Sequence, residues 1–255
     1  MVHFFIGLDH PATAWPFLRS MISINTIRDR KGSFRANHWM MDSGGYTELS
    51  THGRWRTSPQ QYADEINRWK DNGNLVAAVT QDLMCEPFIL HKTGLTIEDH
   101  QKITVARYAR LLDLTNVYVM PVLQGYSPRS YAAHVDCYGE LLTPGQWVGV
   151  GSVCKRNGNP DQIEDILLAI KAQRPDLRLH GFGIKFHALQ SPTVRELLYS
   201  SDSMAWSFAG RIHSTEHDPR IALAYAAKIE ALIGQPSFVQ PQLFHWWNET
   251  ENKAR

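Results

Sequence analysis

The 255-residue sequence predicts an α/β fold in which eight strand–helix repeats close into a barrel. Three observations carry that expectation. Short apolar, β-rich runs alternate with amphipathic segments, the pattern of parallel strands joined by helical crossovers. Eight such runs fit within the length, as a single closed barrel requires. Several intervening segments open on helix-start signals, among them Ser58-Pro59, Thr96 with Asp99 three residues on, and Ser191-Pro192. No internal repeat, linker or low-complexity stretch divides the chain. The expectation is one TIM (β/α)8 catalytic domain over residues 1–234 and a C-terminal tail over 235–255.

Taken in order, the strands are expected at His3–Leu8, Met21–Ile27, His38–Met41, Leu75–Thr80, Val117–Leu123, Trp147–Val153, Leu177–Ile184 and Ser203–Phe208. Helices are expected at Ser58–Asn72, Thr96–Leu114, Pro128–Leu142, Pro160–Arg174 and Ser191–Ser200. The register Ile163, Ile166, Leu167, Ile170 makes one apolar stripe to lie on a sheet. A last helix, Asp218–Ile233, should pack outside the barrel. The second crossover is the weakest, because Arg28–Asn37 is polar and irregular. The tail, with Trp246-Trp247, is expected to dock by its aromatics or to fray.

Composition is that of an ordinary globular protein, 43% hydrophobic, with 26 Lys and Arg against 25 Asp and Glu and a formal net charge of +1. Composition alone therefore makes no case for a polyanion partner. Local clusters do more: Arg28-Asp29-Arg30-Lys31, Lys155-Arg156, Lys185 and Arg211. No apolar run reaches the roughly 18 residues of a membrane span. The start MVHFFIGLDH lacks the features of a signal peptide. A cytoplasmic protein is expected, or one of the host cytoplasm if a phage encodes it, with no membrane partner. The three cysteines, Cys85, Cys137 and Cys154, are odd in number and far apart, which suits reduced thiols.

In such a barrel the strand tips converge on the face where chemistry is done. The tips read Asn25, Asp42, Gln81-Asp82, Gln124-Gly125, Gly149 to Ser152, His180 to Gly183, and Ser201-Asp202-Ser203. One Asp at a strand tip is usually a turn-former. Three carboxylates, three amides and several glycines around one mouth exceed what turns require. The set suits exchange at a glycosidic carbon: one carboxylate attacks the anomeric carbon and a second moves the proton of the leaving or incoming group. A third, with an amide beside it, can read the donor edge of a purine-like base. Glycine backbone can meet its other edge, and Tyr46 or Phe182 can lie on its face.

At these residues the sequence resembles the guanine transglycosylases that act on tRNA, and most closely their DpdA-type DNA-acting relatives from phages. The likeness runs from about Met21 to Arg211. DSGGY at Asp42–Tyr46 looks like the motif whose Asp transfers the proton. QD at Gln81-Asp82 falls where the family keeps its base-reading Asp. PVLQG at Pro121–Gly125 resembles the segment whose Gln contacts the base, and VGVGSV at Val148–Val153 the Gly-Gly strand that offers backbone to it. HGFGI at His180–Ile184 and SDSMAWSFAGR at Ser201–Arg211 look like archaeal segments, the second holding the nucleophilic Asp. The resemblance implies catalysis by Asp42 and Asp202. It implies base binding by Ser43, Gly44, Tyr46, Asp82, Gln124, Gly149, Gly151, Phe182 and Gly183.

Two departures bear on the polymer. Members acting on tRNA carry a structural zinc site of three cysteines and a distal histidine after the nucleophile strand, but no cysteine follows Cys154. The chain also runs only about twenty residues past its last expected helix, too few for an RNA-binding domain. Both fit the short DNA-acting enzymes, which exchange guanine in DNA for a 7-deazaguanine such as preQ0. The expectation is DNA as partner, a free 7-deazaguanine base as co-substrate and no cofactor. Phosphates would be held by Arg28, Arg30, Lys31, Lys155, Arg156, Lys185 and Arg211. No metal is expected, since His213 and His217 precede a helix start rather than sharing a helical face. His180, His187 and His245 are expected as hydrogen-bonded or surface histidines. The alternatives are tRNA exchange without zinc, a barrel N-glycoside hydrolase, and a non-catalytic nucleic-acid-binding barrel.

Overall fold

The computed structural model describes residues 2–207 and 219–238. Among these residues nine parallel strands alternate with helices: β1 His3–Leu8, β2 Arg19–Ser23, β3 His38–Asp42, β4 Asn74–Val79, β5 Val119–Met120, β6 Val122–Leu123, β7 Trp147–Val150, β8 Arg178–Gly181 and β9 Leu198–Ser203. They run in the order β5-β4-β3-β2-β1-β9-β8-β7-β6. The two ends of that order, β5 and β6, are halves of one strand interrupted at Pro121, which has no N–H to give a ladder. β5 pairs with β4 and β6 with β7, and the Pro121 carbonyl accepts from the Gly149 N–H at 2.8 Å. The sheet thus closes on itself as the expected α/β barrel.

The pleat sorts side chains into two cores. Phe4, Ile6, Ile22, Trp39, Met41, Ala78, Leu123, Val148 and Leu179 face outward onto the helices. Phe5, Met21, Met40, Ala77, Val79, Met120 and Val122 face inward, with Trp147 and Phe182 against them, and plug the barrel. Residues two further along several strands then point inward above that plug, so the phase of the alternation decides what reaches the mouth.

Around the barrel lie α1 Ile24–Ile27, α2 Gly45–His52, α3 Pro59–Trp69, α4 Pro87–Thr93, α5 Ile97–Leu112, α6 Pro128–Tyr138, α7 Pro160–Gln173, α8 Phe186–Leu189, α9 Pro192–Leu197 and α10 Pro219–Ile233. Capping boxes start three of them: Ser58 with Gln61, Thr96 with Asp99, and Ser127 with Ser130. The stripe Ile163, Ile166, Leu167, Ile170 of α7 is buried as its spacing predicts.

Several expected boundaries are corrected. The second strand is Arg19–Ser23; Ser23 accepts from the Asn25 N–H and begins the α1 turn, so Asn25 lies in a helix rather than at a strand tip. The seventh and eighth strands end at Val150 and Gly181, short of the expected Val153 and Ile184. The last strand is Leu198–Ser203, not Ser203–Phe208, and the helix expected to reach Ser200 ends at Leu197. Its LYSSDS sequence hides it, because four polar residues are buried there, two of them, Ser200 and Asp202, on partners that only the fold supplies. The helices α2 and α4 follow the third and fourth strands unannounced by any strong apolar period. Leu18 donates to the Ser237 carbonyl at 2.7 Å and Phe17 pairs with Phe238, so the start of the tail is tied to the foot of β2. Trp246-Trp247 lies outside the described residues.

Ile66 is fully buried between α3 and the sheet. Ile66→Ala should cost about 2–5 kcal/mol, read as the shift in urea-unfolding free energy; a loss below 1 kcal/mol would contradict this packing.

Candidate active site

A cavity of about 430 Å³ opens at the C-terminal ends of the strands, within the range of small-molecule sites. Asp42, Asp82, Glu86 and Asp202 all line it, with Ser23, Tyr46, Gln124, Gly151, Ser152, Phe182 and Gly183. The alternation explains much of the set. Ser23 stands two residues beyond inward Met21, Asp42 two beyond Met40, and Gln124 two beyond Val122.

Asp202 ends the inward series of β9. A register shift between Leu179 and His180 brings Ser200 opposite His180. His180, fully buried, then spans Ser200 Oγ at 2.9 Å through Nδ1 and Asp202 Oδ1 at 3.2 Å through Nε2. Trp147 donates its indole N–H to the same Ser200 oxygen at 2.7 Å. Nδ1 thus faces the Ser200 hydroxyl, and Nε2 is placed to donate its N–H to the carboxylate. The Gly183 N–H also donates to Oδ1, at 3.0 Å. Among the described residues no hydrogen bond falls on Oδ2, which is the oxygen left for other work.

Asp42 receives the Gly44 N–H on Oδ2 at 3.2 Å and a bond from the Ser23 side chain. Burial pushes its pKa up, and the charge of Asp202 adds to that; the Ser23 and backbone hydrogen bonds oppose it without prevailing. The two carboxyls therefore sense one another across the cavity. Asp82 accepts from Gln124 Nε2, yet burial outweighs that bond and raises its pKa to about 7. Gln124 Oε1 in turn accepts from Ser152 Oγ at 2.7 Å.

The two glycines of the β7 segment serve close approach. A Cβ at Gly151 would stand 2.1 Å from Gln124 Nε2, and one at Gly149 2.3 Å from the Phe182 ring. Gly149 therefore makes room for Phe182 and is not on the cavity wall. Ser43 and Gly44 also stay behind the wall, both buried beneath Asp42. Tyr46 stands at the rim, 55% exposed, with Lys155 Nζ 5.9 Å from its ring centroid.

Of the expected phosphate ligands, Lys155 and Arg156 line a groove that shares Glu86 and Ser152 with the cavity. Exposed Lys185 caps α8 just past Gly183. Arg28 lies in a separate groove with Arg56, Arg30 is bonded to the Gly32 and Ser33 carbonyls of its own loop, and Lys31 is exposed on that loop. Arg211, His213 and His217 lie outside the described residues, as does His245. Among the described residues no cluster of metal-ligating side chains occurs, no helix is long and apolar enough to cross a membrane, and all three cysteines are free. Glu86, Ser23 and Ser152 went unassigned at the sequence level. Glu86 looks there like a helix-start residue before Pro87, and Ser23 was hidden by the misplaced second strand.

Asp82 holds its proton in the folded state up to about pH 7 and in the unfolded state only to its ordinary 3.8. The folded state therefore loses stability as pH rises between those values. Asp82→Asn, which still accepts from Gln124, should unfold at higher urea than the wild type at pH 8, the gap shrinking toward pH 4. Equal midpoints at pH 8 would contradict this.

The family described as "DeoxyPurine in DNA protein A" (DpdA) matches residues 2–219, a span that takes in every strand and every cavity residue named above. No curated protein matches the chain. With most of its length matched, and with the DSGGY, QD and PVLQG segments gathered around one cavity, the chain belongs to the DpdA family of DNA-modifying transglycosylases.

Proposed function

We propose that the protein exchanges guanine in DNA for a 7-deazaguanine base, preQ0 or a derivative, through a covalent aspartyl–sugar intermediate. The observation that carries this reading is the facing of Asp42 and Asp202 across a cavity whose wall also holds the Asp82–Gln124 pair. Asp202 Oδ2 attacks C1′ of a flipped-out nucleotide, and the C1′–N9 bond breaks with its electron pair going to guanine N9. Asp42, its pKa raised, supplies the proton that guanine takes away. The incoming base gives its N9 proton to Asp42, forms the new C1′–N9 bond and displaces Asp202 as a carboxylate. Two acids thus take two roles because their surroundings differ: Asp202 is held by the donors His180 and Gly183, Asp42 is pushed toward protonation.

Asp82 and Gln124 read the amino and carbonyl groups common to both bases, while Tyr46 and Phe182 cover the heterocycle. Lys155, Arg156 and Lys185 hold phosphates at the rim. His180 is a positioning residue in this scheme. It fixes Oδ1 and so aims Oδ2.

Incubating the protein with labelled base and either duplex DNA or tRNA, followed by mass spectrometry of the nucleosides, tests the function. Incorporation into DNA is expected from the wild type, and none with Asp202→Asn, which should also give no covalent protein–DNA adduct. Adduct formation by that variant would refute the nucleophile assignment; release of guanine with no incoming base would make the protein a hydrolase. His180→Ala should slow adduct formation about 10–100-fold, the loss of one hydrogen bond to a charged group, at unchanged KM for DNA. His180→Gln, which keeps an N–H near the Nε2 position, should recover part of the rate. Equal rates for Ala and Gln variants would leave His180 a packing residue only.

A further inference from the structure

Three large aromatic side chains stand exposed at the rim of the cavity: Tyr46 at 55%, Phe88 at 46% and Tyr126 at 48%. On α4, Ile89 turns into a satellite core with Leu49 and Leu83, while its neighbour Phe88 faces the groove beside the mouth. The Phe88 ring meets the Tyr46 ring edge-on, with centroids 6.5 Å apart. Tyr126, two residues beyond Gln124, lines with Phe88 the groove of about 470 Å³ that adjoins the cavity. Exposed apolar groups gathered in one place mark interaction sites, whereas scattered ones do not.

Cations are interleaved with these rings. Lys155 Nζ stands 5.9 Å from the Tyr46 centroid, and the Arg156 guanidinium 4.9 Å from that of Tyr126. Arg156 also donates to the Tyr126 carbonyl and, at 3.3 Å, to Gln162 Oε1, so ring and cation are ordered before a ligand arrives. Among the described residues neither cation pairs with a carboxylate. Positive charge set between exposed rings suits a single strand, whose backbone follows the cations while its bases stack on the rings. A base inside a duplex cannot use such rings, because its neighbours in the stack cover both its faces. The cavity and the groove share a border at Glu86 and Ser152. A strand with one nucleotide in the cavity therefore has the next one at the groove.

We propose that Phe88 and Tyr126, with Lys155 and Arg156, form a stacking platform for the unpaired nucleotide next to the one held in the cavity. The protein then acts on DNA opened around its target in preference to a fully paired duplex. The proposal deepens the base-exchange reading and rests on it. Taking a neighbour out of the duplex costs pairing and stacking. Stacking on the platform returns part of that cost, and it tolerates any sequence, because every base has a face to offer.

Fluorescence anisotropy with labelled DNA, in the absence of any free base, tests it directly. A duplex whose target guanine and both neighbours are mismatched is expected to bind at least about fivefold more tightly than the fully paired duplex. In a single strand with one guanine, an abasic site on one side of that guanine should weaken binding about 5–100-fold, the loss of one stacked base. Replacing Phe88 and Tyr126 together by Ala should cost a similar factor on the intact strand and nothing on the abasic one. Both side chains are exposed, so the core is untouched. Equal affinity for the opened and paired duplexes overturns the proposal, as does indifference to an abasic site on either side. A loss in the Ala variant that persists on the abasic strand overturns it too. So does a dimer of the wild type that dissociates in that variant on sedimentation, which assigns the rings to a second copy of the chain. Exchange of labelled guanine into the same DNAs separates the two readings. Neighbour-dependent binding without exchange leaves the platform standing and removes the reaction, whereas exchange without neighbour dependence does the reverse.

Discussion

Concentrating four carboxyl groups in one cavity without a lysine or arginine on its described wall is the constraint that the rest of this site answers. Burial disfavours the charged form of Asp42 and Asp82, and neighbouring carboxylates add to it. The barrel does not answer with counter-ions. It gives them different donors: His180 and the Gly183 N–H for Asp202, Ser23 and the Gly44 N–H for Asp42, and Gln124 for Asp82. Glu86 Oε2 competes with Gln124 Oε1 for the one proton of Ser152. The acids are thereby made unequal. Asp82 is carried up to about 7 because its single side-chain donor does not match its burial.

A mouth lined by carboxyl groups fits the proposed transition state, in which positive charge builds on a sugar ring. The positive groups stand outside it. Lys155 and Arg156 rest on exposed tyrosines in the adjoining groove, where phosphates would meet them without neutralising the acids within. In the proposed exchange, this separation of sign between cavity and rim would let one small barrel hold a polyanion beside carboxylate chemistry. A net charge of +1 gives no hint of it.

The pleat of the strands turns a linear sequence into this arrangement. Met40 and Asp42, Val122 and Gln124, Ser200 and Asp202 are each two apart, so apolar or hydrogen-bonded residues seal the barrel just below the acids and amide that line the cavity. Where phase was readable, so was the site: β3 ends in DSGG, and β6 leads straight to Gln124. Where polar residues obscured the phase, the reading slipped. LYSSDS carries too few apolar side chains to look like a buried strand, although Asp202 was still identified through its motif. The second strand was read too far along, so Ser23 was passed over beneath Asp42.

By itself the sequence determined the repeat of short apolar runs and capped helices, and it singled out Asp42, Asp82, Gln124 and Asp202 as candidates, because strand period, cap chemistry and motif are local properties. Only the tertiary structure decided which polar side chains share a wall. Glu86, Ser152 and His180 come from three different loops and strands, and their partners lie 66, 28 and 22 residues away in the chain. Closure of the barrel sets such distances. Hydrogen bonds formed across a closed sheet leave no mark on the residues next to them in sequence.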